Sequence, residues 1–371
     1  MKILVDISYI VDEKATGLSA YAFRLLEGFR RIGCEESVVL LAEKKHFRNL
    51  GESVRGFKTV TIDSFSIPYL PFTRSWMTRK KLNAAIEEHG ISVFLSTYLY
   101  DRSLFTDRVP SIGVIHDTHQ FVAAENRLLL WRFLIGARKA VNSFTRIVAI
   151  SEATRSAIEK LGWIRPPVSV VPNSIVFHGK DVLEKNGGHI PYILDVNTMI
   201  ELKNAITLLR AFDLIKDRVP HNLIFKAAHT SYWDCVMQPF IESHSLAERV
   251  KLIDSHLDAE ALNRLYADAD LFVSPSTMEG FGSTPIEATA AGCPVICNAL
   301  PAMLESTKGL LDYYSPADDA GALAEKMLHL LTNPDRDRVK RAAEIYREEY
   351  SVEKNAGRIL DIARKISGAN S

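Results

Sequence analysis

Long apolar runs are absent from this chain of 371 residues: no stretch approaches the roughly 18 consecutive apolar residues that a membrane-spanning helix needs. The opening segment MKILVDISYI passes directly into a strand-like pattern without the layout of a signal peptide, so a cytoplasmic location is expected. Cysteine is scarce, and the only close pair of the four, Cys293 and Cys297, lies inside the strand-like AGCPVICN. That scarcity argues against a disulfide framework and a zinc cage, and the pair reads as two small core residues. Net charge is zero, low-complexity tracts and solenoid-period repeats are missing, and no nucleic-acid-binding motif is present.

What charge there is divides unevenly. Residues 1–180 carry 25 Lys+Arg against 17 Asp+Glu and residues 181–371 carry 20 against 28, so the halves differ in sign, +8 and −8. Either the first half prefers an anionic surface or ligand, or the two halves attract each other. With 47% hydrophobic residues the chain is too apolar for disorder and too long for one ordinary core, so two domains with a cleft between them are expected.

Short β-branched runs alternate with amphipathic stretches. KILVD, SVVLL, ISVFLS, SIGVIH, RIVAIS and VSVVP mark the first half, with helical patterns at 17–32, 74–89, 123–143 and 152–161. YILDV, NLIFKA, VKLID, DLFVSP and CPVICN mark the second, and beyond about residue 318 the pattern is purely helical. Such alternation predicts an α/β fold of two Rossmann-like doubly wound domains. The polar segment 172–191, with two prolines and the pair Gly187-Gly188, places the hinge, giving domains at 1–178 and 190–350. Residues 351–371 form a terminal amphipathic helix that packs back on the first domain.

Ligands of doubly wound domains bind beyond the carboxyl ends of strands, so the residues after VSP, VIH and LDV are the candidates for chemistry. After DLFVS comes SPSTMEGFGSTPIEATAAG, where Gly280 and Gly282 lead into a helix whose early turns hold Ser283, Thr284, Pro285 and Ile286. Free amides at such a helix start, with the helix dipole behind them, favour an anion such as a diphosphate. Glu279 stands before the glycines and Glu287 two turns into the helix, and carboxylates accept hydrogen bonds from hydroxyl pairs of the kind sugars and riboses carry. Alternatively Glu279 caps the helix and Glu287 is a solvated face residue.

The block from Glu279 through Phe281 to Glu287, continued by ATAAGCPVI, resembles the Glu, seven residues, Glu motif of retaining GT-B glycosyltransferases, family 4 in particular. The resemblance implies that Glu279 contacts the donor sugar's hydroxyls, that Glu287 contacts the nucleotide ribose, and that amides of residues 280–284 hold the diphosphate. It is extended by YILDVNTMIELKNAITLLRAF, where Lys203-Asn204 matches the basic position at the first helix of the nucleotide domain. A lysine there can neutralise the departing diphosphate. Asn197 stands where that pattern has glycine, Thr198 follows in the same donor-binding loop, and Leu202 precedes the lysine. Asp254 likewise replaces a glycine, which leaves base contacts near Ser255 to Leu257 open.

His116 follows the strand SIGVI and is similar to the family's cleft histidine, where a neutral imidazole can position a donor or acceptor hydroxyl. With Asp117 and His119 it could also hold zinc or iron, but no further clustered histidine or Asp-x-Asp pattern joins them, and enzymes of the resembled family need no metal. Gly17, before the helix that carries Tyr21, is similar to the family's loop beside the acceptor and the diphosphate. The basic and aromatic stretches PFTRSWMTRKKLNAAIEE and NRLLLWRFLIGARKAVN suit either an anionic membrane surface with a lipid-linked acceptor, or a core-facing helix with a basic edge.

Taken with the resemblance, these features imply metal-independent transfer of a hexose, mannose-like, from a GDP or UDP sugar to a glycan or glycolipid in cell-surface polysaccharide biosynthesis, with retention and without a cofactor. Two alternatives are a nucleotide-sugar epimerase of the same architecture and a non-catalytic nucleotide-sugar-binding partner.

Overall fold

The computed structural model describes residues 1–12, 17–63, 71–99, 104–118, 138–177, 185 and 190–368, with backbone alone for 17–18 and 71–78. His119, the glycine pair 187–188 and most of the stretch 123–143 lie outside the described residues. The chain forms two compact units, residues 1–176 with 350–371, and residues 177–349.

The first unit is built on a seven-stranded sheet of order β3-β2-β1-β4-β5-β6-β7, parallel throughout. Its strands are β1 (Ile3–Asp6), β2 (Val38–Glu43), β3 (Lys58–Ile62), β4 (Val93–Ser96), β5 (Ser111–Ile115), β6 (Arg146–Ala149) and β7 (Val168–Val170). Helices α1 (Gly17–Arg31), α2 (Pro71–His89) and α3 (Glu152–Leu161) run between strands. Leu4, Val39, Leu41, Phe94, Ile115 and Ile147 form the centre of one core layer, each buried. Parallel strands covered on both faces need such near-continuous apolar runs, which is why they stand out in the sequence.

A six-stranded parallel sheet of order β10-β9-β8-β11-β12-β13 organises the second unit. It comprises β8 (Tyr192–Val196), β9 (Asn222–Lys226), β10 (Val250–Ile253), β11 (Leu271–Ser274), β12 (Val295–Asn298) and β13 (Asp312–Tyr314). The helices are α4 (Ala205–Ile215), α5 (Gln238–Ser243), α6 (Ala259–Asp268), α7 (Ser283–Ala290), α8 (Pro301–Ser306), α9 (Ala320–Thr332) and α10 (Arg336–Glu349). The last helix, α11 (Val352–Ser367), belongs to the first unit, where it packs on α1 and Arg31 reaches Glu353 at 3.2 Å.

Local signals explain several boundaries. Ser151, Asp258, Asp319 and Ser351 cap α3, α6, α9 and α11 by accepting from the amide three residues on. Gly162 closes α3 in the left-handed conformation. Of the thirteen described strands only β3 and β13 went unread in the sequence, and both are sheet edges. KTVTI is mostly polar with only Ile62 buried and DYY is three residues long, so neither carries a long apolar run; beside its pairing with β12, β13 is held by Arg338 of α10, which donates to the carbonyl of Leu310 at 2.8 Å and to the Asp312 carboxylate at 3.2 Å.

Among the described residues no helix is long and apolar enough to cross a membrane. All four cysteines are free, and Cys293 and Cys297 are buried core residues.

Candidate active site

In each sheet the strand order reverses once, between β1 and β4 in the first and between β8 and β11 in the second. Crevices of doubly wound sheets open at such switch points, beyond the carboxyl ends of the two diverging strands.

At the second switch point the chain leaves β8 through Asn197 and Thr198, makes one 3-10 turn at Glu201–Lys203, and enters α4 only after Asn204. Lys203 therefore sits on a separate turn ahead of the helix and not on the helix itself. Asn204 takes a left-handed conformation, φ 53°, and donates from Nδ2 to the carbonyls of Pro275 at 3.1 Å and Ala317 at 2.8 Å. The carbonyl of Leu202 accepts from the Thr277 amide at 2.9 Å and its hydroxyl at 3.1 Å. These bonds fasten the loop after β8 to the loop after β11. Lys203 Nζ consequently meets Glu279 Oε1 at 2.6 Å, the two side chains 21% and 17% exposed.

Behind this pair lies Asp195 near the end of β8, 2% exposed. Asn197 Nδ2 donates to its Oδ2, while Asn197 Oδ1 accepts from the Met199 amide at 2.5 Å. The asparagine at the position where glycine was expected is thus a brace between strand end and loop. Burial pushes the Asp195 carboxyl up to about 8, against the lowering pull of the Asn197 hydrogen bond and of Lys203. A carboxyl raised in the folded state supports folding below its ordinary value near 4, and that support is lost as pH climbs toward 8. Asp195→Asn cannot titrate, so its unfolding temperature relative to wild type is expected to rise between pH 5 and pH 9. Thermal unfolding across that range checks this, and parallel curves would count against it.

The helix α7 starts at Ser283 with Gly282 as N-cap, φ 79° and without a capping side chain. Its first amides therefore keep their hydrogen-bonding capacity for an incoming group. The left-handed φ is what calls for glycine at this entry, and a Cβ there would in addition push against the end of the Met303 side chain, 2.5 Å from its Sδ. Phe281 is buried, 4% exposed. Arg347 of α10 holds the other end of α7, donating to the Ala290 carbonyl at 2.6 Å.

Glu287 is the fifth residue of α7, just over one turn in and not two, because the helix begins no earlier than Ser283. Tyr266 of α6 donates its hydroxyl to Glu287 Oε2 at 3.1 Å, and its ring packs edge-on to Phe272 with centroids 5.6 Å apart. Tyr266→Phe keeps the packing and loses this bond, so stability is expected to fall by about 1 kcal/mol, read by thermal unfolding.

The first switch point holds a polar and aromatic group. Thr97, after β4, donates to the Asp6 carbonyl at 2.8 Å and pairs with the Tyr9 hydroxyl at 3.1 Å. His116 Nε2 lies 2.9 Å from the Thr97 carbonyl. A carbonyl only accepts, so Nε2 carries the proton and Nδ1 presents a lone pair. Burial holds the ring below the usual histidine range, which keeps it neutral near pH 7. Tyr21, one turn along the helix that begins at Gly17, stands edge-on to His116 with centroids 4.7 Å apart. Its hydroxyl is buried with no hydrogen-bond partner among the described residues.

Among the described residues no group of three or more His, Cys, Asp or Glu gathers as a metal ion would require. Sequence reasoning had not singled out Asp195, Tyr266, Tyr9 or Thr97, and had named Asn204 only as the neighbour of Lys203. Asp195 alone gave a signal, a carboxylate inside an apolar strand; the others declare themselves only through distant partners. Ser255 and His256, in the loop after β10, are exposed.

The family model of glycosyl transferases group 1 matches residues 183–347, and that of glycosyltransferase family 4 matches residues 15–176. The O-antigen chain mannosyltransferase RfbU of Salmonella typhimurium is 27% identical over 326 residues, covering 85% of this chain and 87% of that protein. O-antigen chain mannosyltransferase B of Escherichia coli is 30% identical over a shorter 142 residues, 38% of this chain and 36% of its own. Among solved structures, sucrose-phosphate synthase from Thermosynechococcus elongatus superposes with a TM-score of 0.77 at 18% identity, covering all of both chains. Anabaena HepE in complex with UDP-glucose does so with a TM-score of 0.73 at 15% identity, covering 98% of this chain and 100% of its own. At such identities the structural likeness shows a shared fold.

Proposed function

Because the chain belongs to the family 4, group 1 glycosyltransferases of GT-B fold, we propose that it transfers a mannose-like hexose with retention from a GDP or UDP sugar to a glycan or glycolipid of a cell-surface polysaccharide. The observation that carries this reading is the meeting of Lys203 and Glu279 at 2.6 Å beside the uncapped start of α7. A cation, a carboxylate and free helix amides are the set that a sugar diphosphate needs. The mannosyltransferase relatives support the sugar and the polysaccharide setting.

In this reading the amides at the start of α7 and the Lys203 ammonium take the diphosphate. Glu279 accepts from sugar hydroxyls and Glu287 from the ribose. The bond between the anomeric carbon and the leaving phosphate oxygen breaks as the acceptor oxygen bonds to that carbon from the same face. The acceptor's proton passes to the departing phosphate. Lys203 gains most as negative charge builds on the leaving group, so it favours the transition state over the bound donor. His116, in the first unit, is held with Nδ1 free to accept from a sugar hydroxyl. No metal is assigned a role, since Lys203 and the amides supply the positive field.

A thermal-shift screen of the full chain against GDP-, UDP-, ADP- and dTDP-sugars with EDTA present tests the reading. A ligand that binds only the folded state raises its melting temperature. One donor is expected to give a clear shift, and product made with it is expected to keep the donor's anomeric configuration by NMR. Binding without transfer to any acceptor would select a non-catalytic partner, acceptor-independent isomerisation an epimerase, and no shift at all would overturn the donor site.

A further inference from the structure

The ion pair that marks the site has a consequence for what the site accepts. Lys203 and Glu279 are already joined at 2.6 Å, both mostly buried, on two loops fastened together by Leu202, Asn204 and Thr277. The loops limit how far either charge can retreat. The neighbouring Asp195 carboxyl is raised by burial and so competes little for the lysine near neutral pH, which leaves Glu279 as the charge that Lys203 meets.

A diphosphate must draw Lys203 toward itself. In doing so it strips Glu279 of its counter-ion and leaves a partly buried carboxylate close to phosphate oxygens, which is costly. An intact nucleotide sugar makes good that loss, because its hydroxyls donate to Glu279 in place of the lysine. A nucleoside diphosphate without sugar brings no such donors.

We propose that Glu279, through its pairing with Lys203, discriminates the intact donor from the bare nucleoside diphosphate and so promotes release of the product after transfer. This rests on the donor-site reading above and adds to it a second role for the same carboxylate. Removing the charge while keeping the shape separates the roles: Glu279→Gln weakens sugar recognition yet frees Lys203 for phosphate.

The test is calorimetric titration of the full chain with GDP, UDP, ADP and dTDP, for wild type, Glu279→Gln, Lys203→Gln and the double variant, each first shown to be folded at the titration temperature. The nucleoside diphosphate that binds wild type is expected to bind Glu279→Gln roughly three- to ten-fold tighter. In the Lys203→Gln background the same Glu279 change is expected to bring no gain, because the effect runs through the lysine. Equal or weaker binding by Glu279→Gln, with measurable wild-type binding, overturns the proposal and leaves the donor site standing. So does an undiminished gain in the Lys203→Gln background, which would mean direct repulsion of phosphate. If none of the four nucleotides binds either wild type or Glu279→Gln, the donor-site reading itself fails and the proposal falls with it.

Discussion

Replacing Lys203 with alanine is expected to slow sugar transfer by roughly 100- to 1000-fold, the loss found when one preorganised charge-stabilising group is removed from a reacting centre. The ammonium also partners Glu279, 17% exposed, and its removal leaves that carboxylate largely buried without a counter-ion, so stability is expected to fall by about 1–3 kcal/mol as well. Initial rates at saturating donor and acceptor, taken where the variant is still folded, together with thermal unfolding, separate the two effects. A fall in kcat in folded protein assigns Lys203 to leaving-group stabilisation, and full activity would remove it from the mechanism.

Gly28→Ala should destabilise the first unit by about 2–4 kcal/mol, seen as a melting temperature lower by on the order of 5–10 °C. Helix propensity alone argues the other way, since alanine is favoured over glycine inside a helix by about 1 kcal/mol. The deciding fact is tertiary. A Cβ at Gly28 would stand 2.2 Å from the Val352 carbonyl oxygen and 2.9 Å from Ala356 Cβ, so α1 and α11 would have to move apart. The face of α11 that buries Val352, Ala356, Ile359 and Ala363 would lose its close fit. Gly357 provides the control, because a Cβ there meets nothing within 4 Å. Gly357→Ala is expected to be neutral or mildly stabilising, and equal effects at the two positions would refute the packing argument.

Much of this architecture was legible in the chain. Strands buried on both faces must be apolar along their length, and YILDV, DLFVSP and SIGVIH could be read for that reason alone. The edge strands β3 and β13 could not, because KTVTI is mostly polar with only Ile62 buried and DYY is three residues long, whereas the other two edges, β7 and β10, lie in the apolar runs VSVVP and VKLID. Within the site, Glu279, the glycines and Glu287 were readable because they lie on one short segment, where spacing and the chemistry of a helix start fix their relation. Lys203 was readable as a cation in a loop.

That Lys203 should meet Glu279, 76 residues away, was not, and neither was the brace from Asn197 to Asp195 or the hydroxyl that Tyr266 turns toward Glu287. Period, caps and turn glycines act within about ten residues, so the sequence by itself determined two doubly wound units and the segments that end at their switch points. Which charge faces which was decided by the tertiary structure, because partners are chosen by the strands that become neighbours in a sheet, and β8 lies beside β11 only once the sheet is assembled.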